Sequence, residues 1–226
     1  MKIQVKWVLA VTVATWGFAT SLSAQETGNP SPSSSTRFLQ YNEGGMYWRG
    51  FLVKSSIGGD FNDTSVLGGD LAIDIPRVKD GFGPGLAVGG YGSGELFGGG
   101  MEISYARTTH DTTSSLLGPS EATFHMVDFA LLGDIKLSYG FRPYIECGVG
   151  FSRLTVDGAS TSGDASFQGY TFFYGLGARV FITPKWYLNA EMKYRATTFT
   201  NVEGYNIDGN LDASGQTYSI GAAYVF

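Results

Sequence analysis

Apolar residues recur at every second position along most of this chain, and the alternation is plainest at its end. Over 216–226, Tyr218, Ile220, Ala222, Tyr224 and Phe226 alternate with the small residues Thr217, Ser219, Gly221 and Ala223. A period of two gives an extended segment one apolar face. Aromatic rings at both ends of such a face suit a lipid-water boundary, where Tyr and Trp settle.

The same pattern predicts seven further strands. Segment 186–199 sets Leu188, Ala190, Met192, Tyr194 and Ala196 against Asn189, Glu191, Lys193, Arg195 and Thr197. Segment 167–182 opposes Tyr170, Phe172, Tyr174, Leu176 and Val180 to Thr171, Gly175, Gly177 and Arg179. Segment 144–155 opposes Ile145, Cys147, Val149 and Phe151 to Glu146, Gly148, Gly150 and Ser152. Segment 123–138 sets Val127, Phe129, Leu131, Ile135 and Leu137 against Met126, Asp128, Asp134 and Lys136. Segment 97–107 opposes Met101, Ile103 and Tyr105 to Glu102 and Ser104. Segment 83–90 is short and glycine-rich, with an open register. In 46–55, Trp48 and Leu52 oppose Arg49, while Tyr47 and Phe51 blur the polar face.

The expected fold is all-β, an eight-stranded antiparallel up-and-down transmembrane β-barrel. Short turns at 92–94, 140–143 and 183–185 alternate with longer polar stretches at 56–82, 108–122, 156–166 and 200–215. Short turns of outer-membrane barrels face the periplasm and long loops face outward, so both termini are expected in the periplasm. Within 56–82, Leu71, Ile73 and Ile75 alternate with Asp70, Ala72 and Asp74, which would extend a strand above the lipid.

The first residues read as a leader. Lys2 and Lys6 precede an apolar run of about 13 residues, short of the roughly 20 that a spanning helix needs, and Ser21-Leu22-Ser23-Ala24 offers a cleavage site. The expected organisation is a signal peptide at 1–24, a flexible periplasmic lead-in at 25–43 and a barrel at 44–226. Without Lys2 and Lys6 the chain carries 13 basic and 20 acidic residues, a net charge near −7. That balance excludes a nucleic-acid partner, which needs clustered Lys and Arg. Cys147 is the sole cysteine, so there is no internal disulfide.

The stretches 143–151 and 174–180, each followed by a turn, an aromatic residue and a long alternating strand, resemble the OmpA-like and opacity-protein group of small outer-membrane barrels. The resemblance spans about 44–226. It implies a bacterial outer-membrane location, contact with outer-membrane lipids and recognition by the barrel-assembly machinery through Tyr218, Ile220, Tyr224 and Phe226. It carries no peptidoglycan-binding role, because nothing follows Phe226.

On this register the inward charges are Arg49, Lys136, Arg179, Lys193 and Arg195 against Glu102, Asp128, Asp134, Glu146 and Glu191. An eight-stranded barrel has an interior that side chains just fill, so these groups are expected to pair. Two readings follow: a plug that holds the barrel in shape, or a narrow gated pore in which the cations exchange carboxylates. The loops carry Asp60, Asp63, Asp70, Asp74, Asp80, Asp111, Glu121, Asp157, Asp164, Glu203, Asp208 and Asp212 against Arg77 and Lys79. They are either simply solvated or an acidic surface for cations or a basic partner. Calcium-loop spacing is missing, so no metal and no cofactor is assigned.

Catalysis is disfavoured. Val127 replaces the serine of the His-x-Ser pattern that barrel lipid A deacylases carry after a histidine such as His125. His110, Asp111 and Ser114 or Ser115 lie too close in one loop to share triad geometry. The leading expectation is a non-enzymatic barrel with a structural or surface-interaction role and a surface receptor or matrix as partner. The alternatives are a narrow pore or lateral gate for small apolar molecules, and a lipid A modifying enzyme.

Overall fold

Strand follows strand because lipid-facing and interior side chains alternate, and β-branched and aromatic residues fill both faces. A computed structural model describes residues 44–62, 75–94, 96–114, 118–137, 140–160, 163–204 and 209–226. The expected leader, the lead-in and the 70–74 alternation lie outside the described residues, as do Asp63, Asp70, Asp74 and Asp208.

Ten strands occur among the described residues: β1 (Gly44–Ser55), β2 (Arg77–Val78), β3 (Gly81–Ser93), β4 (Phe97–Ser114), β5 (Gly118–Ile135), β6 (Phe141–Ser160), β7 (Gly163–Phe181), β8 (Trp186–Glu203), β9 (Leu211–Asp212) and β10 (Gly215–Val225). Eight of them form an antiparallel ring in chain order, β1-β3-β4-β5-β6-β7-β8-β10, closed by β10 pairing with both β8 and β1. Closure leaves the ring no open edge. The two-residue strands add to the rim, β2 on β4 and β9 on β8.

Short turns join β3 to β4, β5 to β6 and β7 to β8 at one end, where Phe226 also bonds back to Met46. We call this the turn end and the opposite one the hairpin end. In the β7–β8 turn the Thr183 hydroxyl accepts from the Trp186 amide at 3.0 Å, which fixes the reversal.

Outward side chains from the turn end to mid-height are apolar, and they begin with a ring cluster: Trp48 edge-on to Trp186 at 6.2 Å and Trp186 against Tyr224 at 5.1 Å. The band ends at Tyr105, Phe151 and Tyr170; one residue pair further, Arg107, His125 and Arg153 face outward instead.

The strands outrun the sequence expectation. Stretches 108–122 and 156–166 are largely strand, with 115–117 and 161–162 between paired β4/β5 and β6/β7. Past the apolar band the pattern inverts: Phe124, Leu154, Val156 and Phe167 turn inward while Glu121, Asp157 and Asp164 face solvent. Polar outer residues therefore did not mark loops. They mark strands whose outer face meets water and whose inner face has a core.

The interior is layered. At the turn end Tyr47, Tyr91, Phe181, Tyr187, Ala223 and Val225 pack together. A charged middle layer follows, flanked by Ala130, Leu132, Tyr144 and Phe173. The hairpin end is apolar: Phe61, carried by the 3-10 turn Gly59–Phe61, is fully buried and meets Phe167 and Phe199 edge-on at 5.3 and 5.7 Å. The glycine-rich segment 83–90 finds its register in β3, with Leu86 and Val88 outward and Ala87 and Tyr91 inward. Gly89 must lack a Cβ because Tyr47 fills that space.

Candidate functional site

Interior positions of β1 and of β4 to β8 alternate with lipid-side residues, so each inward charge is delivered by strand phase alone. Arg49, Glu102, Asp128, Asp134, Glu146, Arg179, Glu191, Lys193 and Arg195 all point inward and are buried. Lys136 is less enclosed than these nine. β5 stops at Ile135, and Lys136 lies half-buried in the turn, its amide donating to the Leu96 carbonyl at 2.8 Å. Arg142, expected in a turn, is instead buried at the turn end, its guanidinium 4.8 Å from the Phe181 ring.

The carboxylates and cations interleave. Arg195 grips Asp128 with Nη1 at 2.7 Å and Nη2 at 2.9 Å, a bidentate fork. Arg49 bridges Glu102 and Glu191, the latter at 3.2 Å. Lys193 continues the chain to Glu191 at 3.0 Å and Glu146 at 3.2 Å. The hydroxyls of Tyr47 and Tyr144 donate to Glu102 and Glu191, each at 2.8 Å. Such hydrogen bonds matter because a buried charge left unpaired is costly.

Arg179 pairs with Asp134 at 3.2 Å and sits in a cage of tyrosines, with ring centroids at 4.7 Å for Tyr144, 5.6 Å for Tyr91 and Tyr187, and 5.7 Å for Tyr47. Ring faces attract the guanidinium and displace water from it. This cage was missed. Its signal was present in the phase of Tyr47, which shares the face of Arg49, of Tyr144, which shares that of Glu146, and of Tyr187, which shares that of Asn189.

The histidines separate. His110 is buried in the apolar hairpin end, where Nδ1 donates to the Lys79 carbonyl at 2.7 Å and Nε2 accepts from the Ser55 or Thr108 hydroxyl at 3.0 or 2.7 Å. Burial lowers its pKa, against smaller opposing effects from the Lys79 bond and Asp80. Asp111 faces the opposite side of β4 from His110, and the side chains of Ser114 and Ser115 lie outside the described residues. Ser55 reaches His110, but both are closed off from solvent. His125 stays on the outer face, its Nδ1 bonded to the Tyr105 hydroxyl at 2.8 Å. Among the described residues, no group of three or more His, Cys, Asp or Glu side chains converges to hold a metal.

Comparison with known proteins agrees with this architecture. The chain overlays 82% of its length on 97% of the outer membrane protein OprG of Pseudomonas aeruginosa, with a TM-score of 0.55 at 16% identity. Neisserial surface protein A gives 0.54 at 12% identity over 80% of this chain and 97% of that one. Ail, the attachment invasion locus protein of Yersinia pestis, solved with the heparin analogue sucrose octasulfate, gives 0.51 at 18% over 82% and 100%. At these identities the likeness concerns the fold. A search of curated protein sequences finds no match. The model of the outer membrane protein beta-barrel domain matches residues 16–226, and the chain accordingly belongs to that family.

Proposed function

We propose that this is a non-enzymatic outer-membrane barrel with a closed lumen, acting through its hairpin end as a surface-interaction protein. The observation that carries the reading is the interior: two aromatic or apolar layers enclose a layer of ion pairs. The cavity between the charged and apolar layers, bordered by Phe51, Met126, Asp128 and Lys193, measures ≈ 20 Å³. That is room for about one water, too little for a continuous file.

On this reading the hairpin end lies outside the cell, the turn end and both termini are periplasmic, and the assembly machinery grips β10. The exposed Asp111, Glu121, Asp157, Asp164 and Glu203 make the outer rim acidic, which favours a basic receptor or matrix surface and disfavours a polyanion.

Planar-bilayer recording tests the closed lumen. Wild-type protein is expected to give no discrete conductance steps; reproducible, ion-selective openings overturn it. For the surface role, replacing Asp111, Glu121, Asp157 and Asp164 by their amides should lower adhesion to an immobilised basic matrix severalfold. Unchanged adhesion would rule out the acidic rim as the contact.

A further inference from the structure

The outward face of β4, β5 and β6 carries an arrangement that the interior does not explain. Strand register sets Arg107 directly opposite His125 and His125 directly opposite Arg153. Two guanidiniums on either side of one imidazole concentrate positive charge in a single cross-strand row, which an anion would relieve. The protein has no shortage of acid, with a formal net charge of −5, yet among the described residues no carboxylate lies within ion-pair distance of either arginine. Lys54, by contrast, is paired with Asp80 at 2.7 Å on the same rim.

Two of the three groups are held in place. Arg153 Nε donates to the Ser166 hydroxyl at 3.1 Å, which leaves both terminal nitrogens of its guanidinium for a ligand. The Tyr105 hydroxyl bonds His125 Nδ1 and the two rings stack at 6.1 Å, which leaves Nε2 without a partner among the described residues. Beside them a groove of ≈ 300 Å³ opens where the β7 register slips between Gln168 and Gly169. His125, Arg153, Gln168 and Asn201 line its polar side, and Phe151 and Tyr170 its apolar side.

We propose that Arg107, His125 and Arg153 form a clamp for the phosphate of an outer-leaflet glycolipid, whose acyl chain lies along the groove. Three features select this occupant. The clamp sits one residue pair beyond the apolar band, at headgroup height. Guanidinium forks fit phosphate oxygens bidentately. The groove couples that anionic end to an apolar one. The assignment to the outer leaflet rests on the orientation proposed above.

Native mass spectrometry of the micellar protein tests the clamp with three probes: diphosphoryl lipid A, the same lipid stripped of both phosphates, and inorganic phosphate. Wild type should retain diphosphoryl lipid A at least about tenfold more tightly than the stripped lipid, with inorganic phosphate not retained. The double variant Arg107→Gln/Arg153→Gln should lose that preference, while Lys54→Gln keeps it. Heat-modifiable gel mobility shows whether each variant is folded. Equal retention by wild type and the double variant, equal retention of both lipids, or equally tight inorganic phosphate overturns the clamp.

Orientation is read separately, from a membrane-impermeant thiol label on Asp157→Cys in intact cells. Labelling supports the outer leaflet; its absence overturns the leaflet and the lipid source, whatever the affinity in micelles.

Discussion

Arg195 on β8 and Asp128 on β5 are joined by two hydrogen bonds of 2.7 and 2.9 Å across the barrel, although their strands share no backbone pairing. The pair is a strut. Arg49 on β1 with Glu102 on β4, and Arg179 on β7 with Asp134 on β5, likewise connect strands that are not neighbours in the ring. The interior therefore fixes the cross-section, which backbone pairing alone leaves free to ovalise.

Removing one end of a strut should cost more than removing both. Asp128→Asn leaves the Arg195 charge uncompensated and should lower stability by about 3–5 kcal/mol. Asp128→Leu with Arg195→Met should recover most of it, because a well-packed apolar pair of similar volume is often neutral. Urea unfolding of the micellar barrel, followed by cold and heated gel mobility, measures both; a double variant as unstable as the single one would refute the strut.

Phe61 packs at the hairpin end against both Phe167 and Phe199, whose rings also meet each other at 5.9 Å. Phe61→Ala should cost about 3–5 kcal/mol locally, the usual range for emptying a buried aromatic site. The expected result is faster proteolysis within the connection between β1 and β3, with the unfolding of the rest little changed.

A single methyl group should disturb the charged layer. A Cβ on Gly177 would overlap the Tyr144 ring, whose hydroxyl holds Glu191. Gly177→Ala should therefore destabilise by about 1–3 kcal/mol through overpacking, and Tyr144→Leu in the same chain should relieve the clash. Thermal loss of the fast-migrating gel band gives the comparison.

His110 makes the hairpin end acid-sensitive. Its folded pKa lies below the ordinary histidine value of about 6.5 because burial disfavours the imidazolium. In that situation the unfolded chain binds the proton more readily. The contribution is thus full above about pH 6.5 and is lost as pH falls below it toward the folded pKa. Ser55, Thr108, Lys79 and Phe124 surround the ring, and the nearby Asp80 only partly offsets the effect of burial. Protease resistance of the hairpin end should fall between pH 7 and 5 in wild type, and His110→Gln should flatten that dependence.

How far the fold was legible depends on which solvent each side chain meets. Ile145, Val149 and Phe172 announce a lipid-facing side, and Glu146, Arg179 and Lys193 their opposite, because strand phase is local. The extended hairpins were harder to see. Beyond the lipid, Glu121 and Asp157 face water and Phe124 and Leu154 face a core, so the polarity of the alternation reverses. Read with the membrane convention, such a stretch passes for a loop. Arg142 was read as part of a turn for a related reason: where a strand begins is set by its partner, and phase has meaning only from that point.

The sequence by itself determined the strands, the closed barrel and the inward or outward assignment of most residues, because a period of two partitions side chains between two environments one residue at a time. Only the tertiary structure decided which cation meets which carboxylate, that four tyrosines surround Arg179, and that Arg107, His125 and Arg153 stand in one row. These relations join positions as much as 142 residues apart, as between Arg49 and Glu191. They follow from the register between strands and the curvature of the closed sheet, neither of which any single segment encodes.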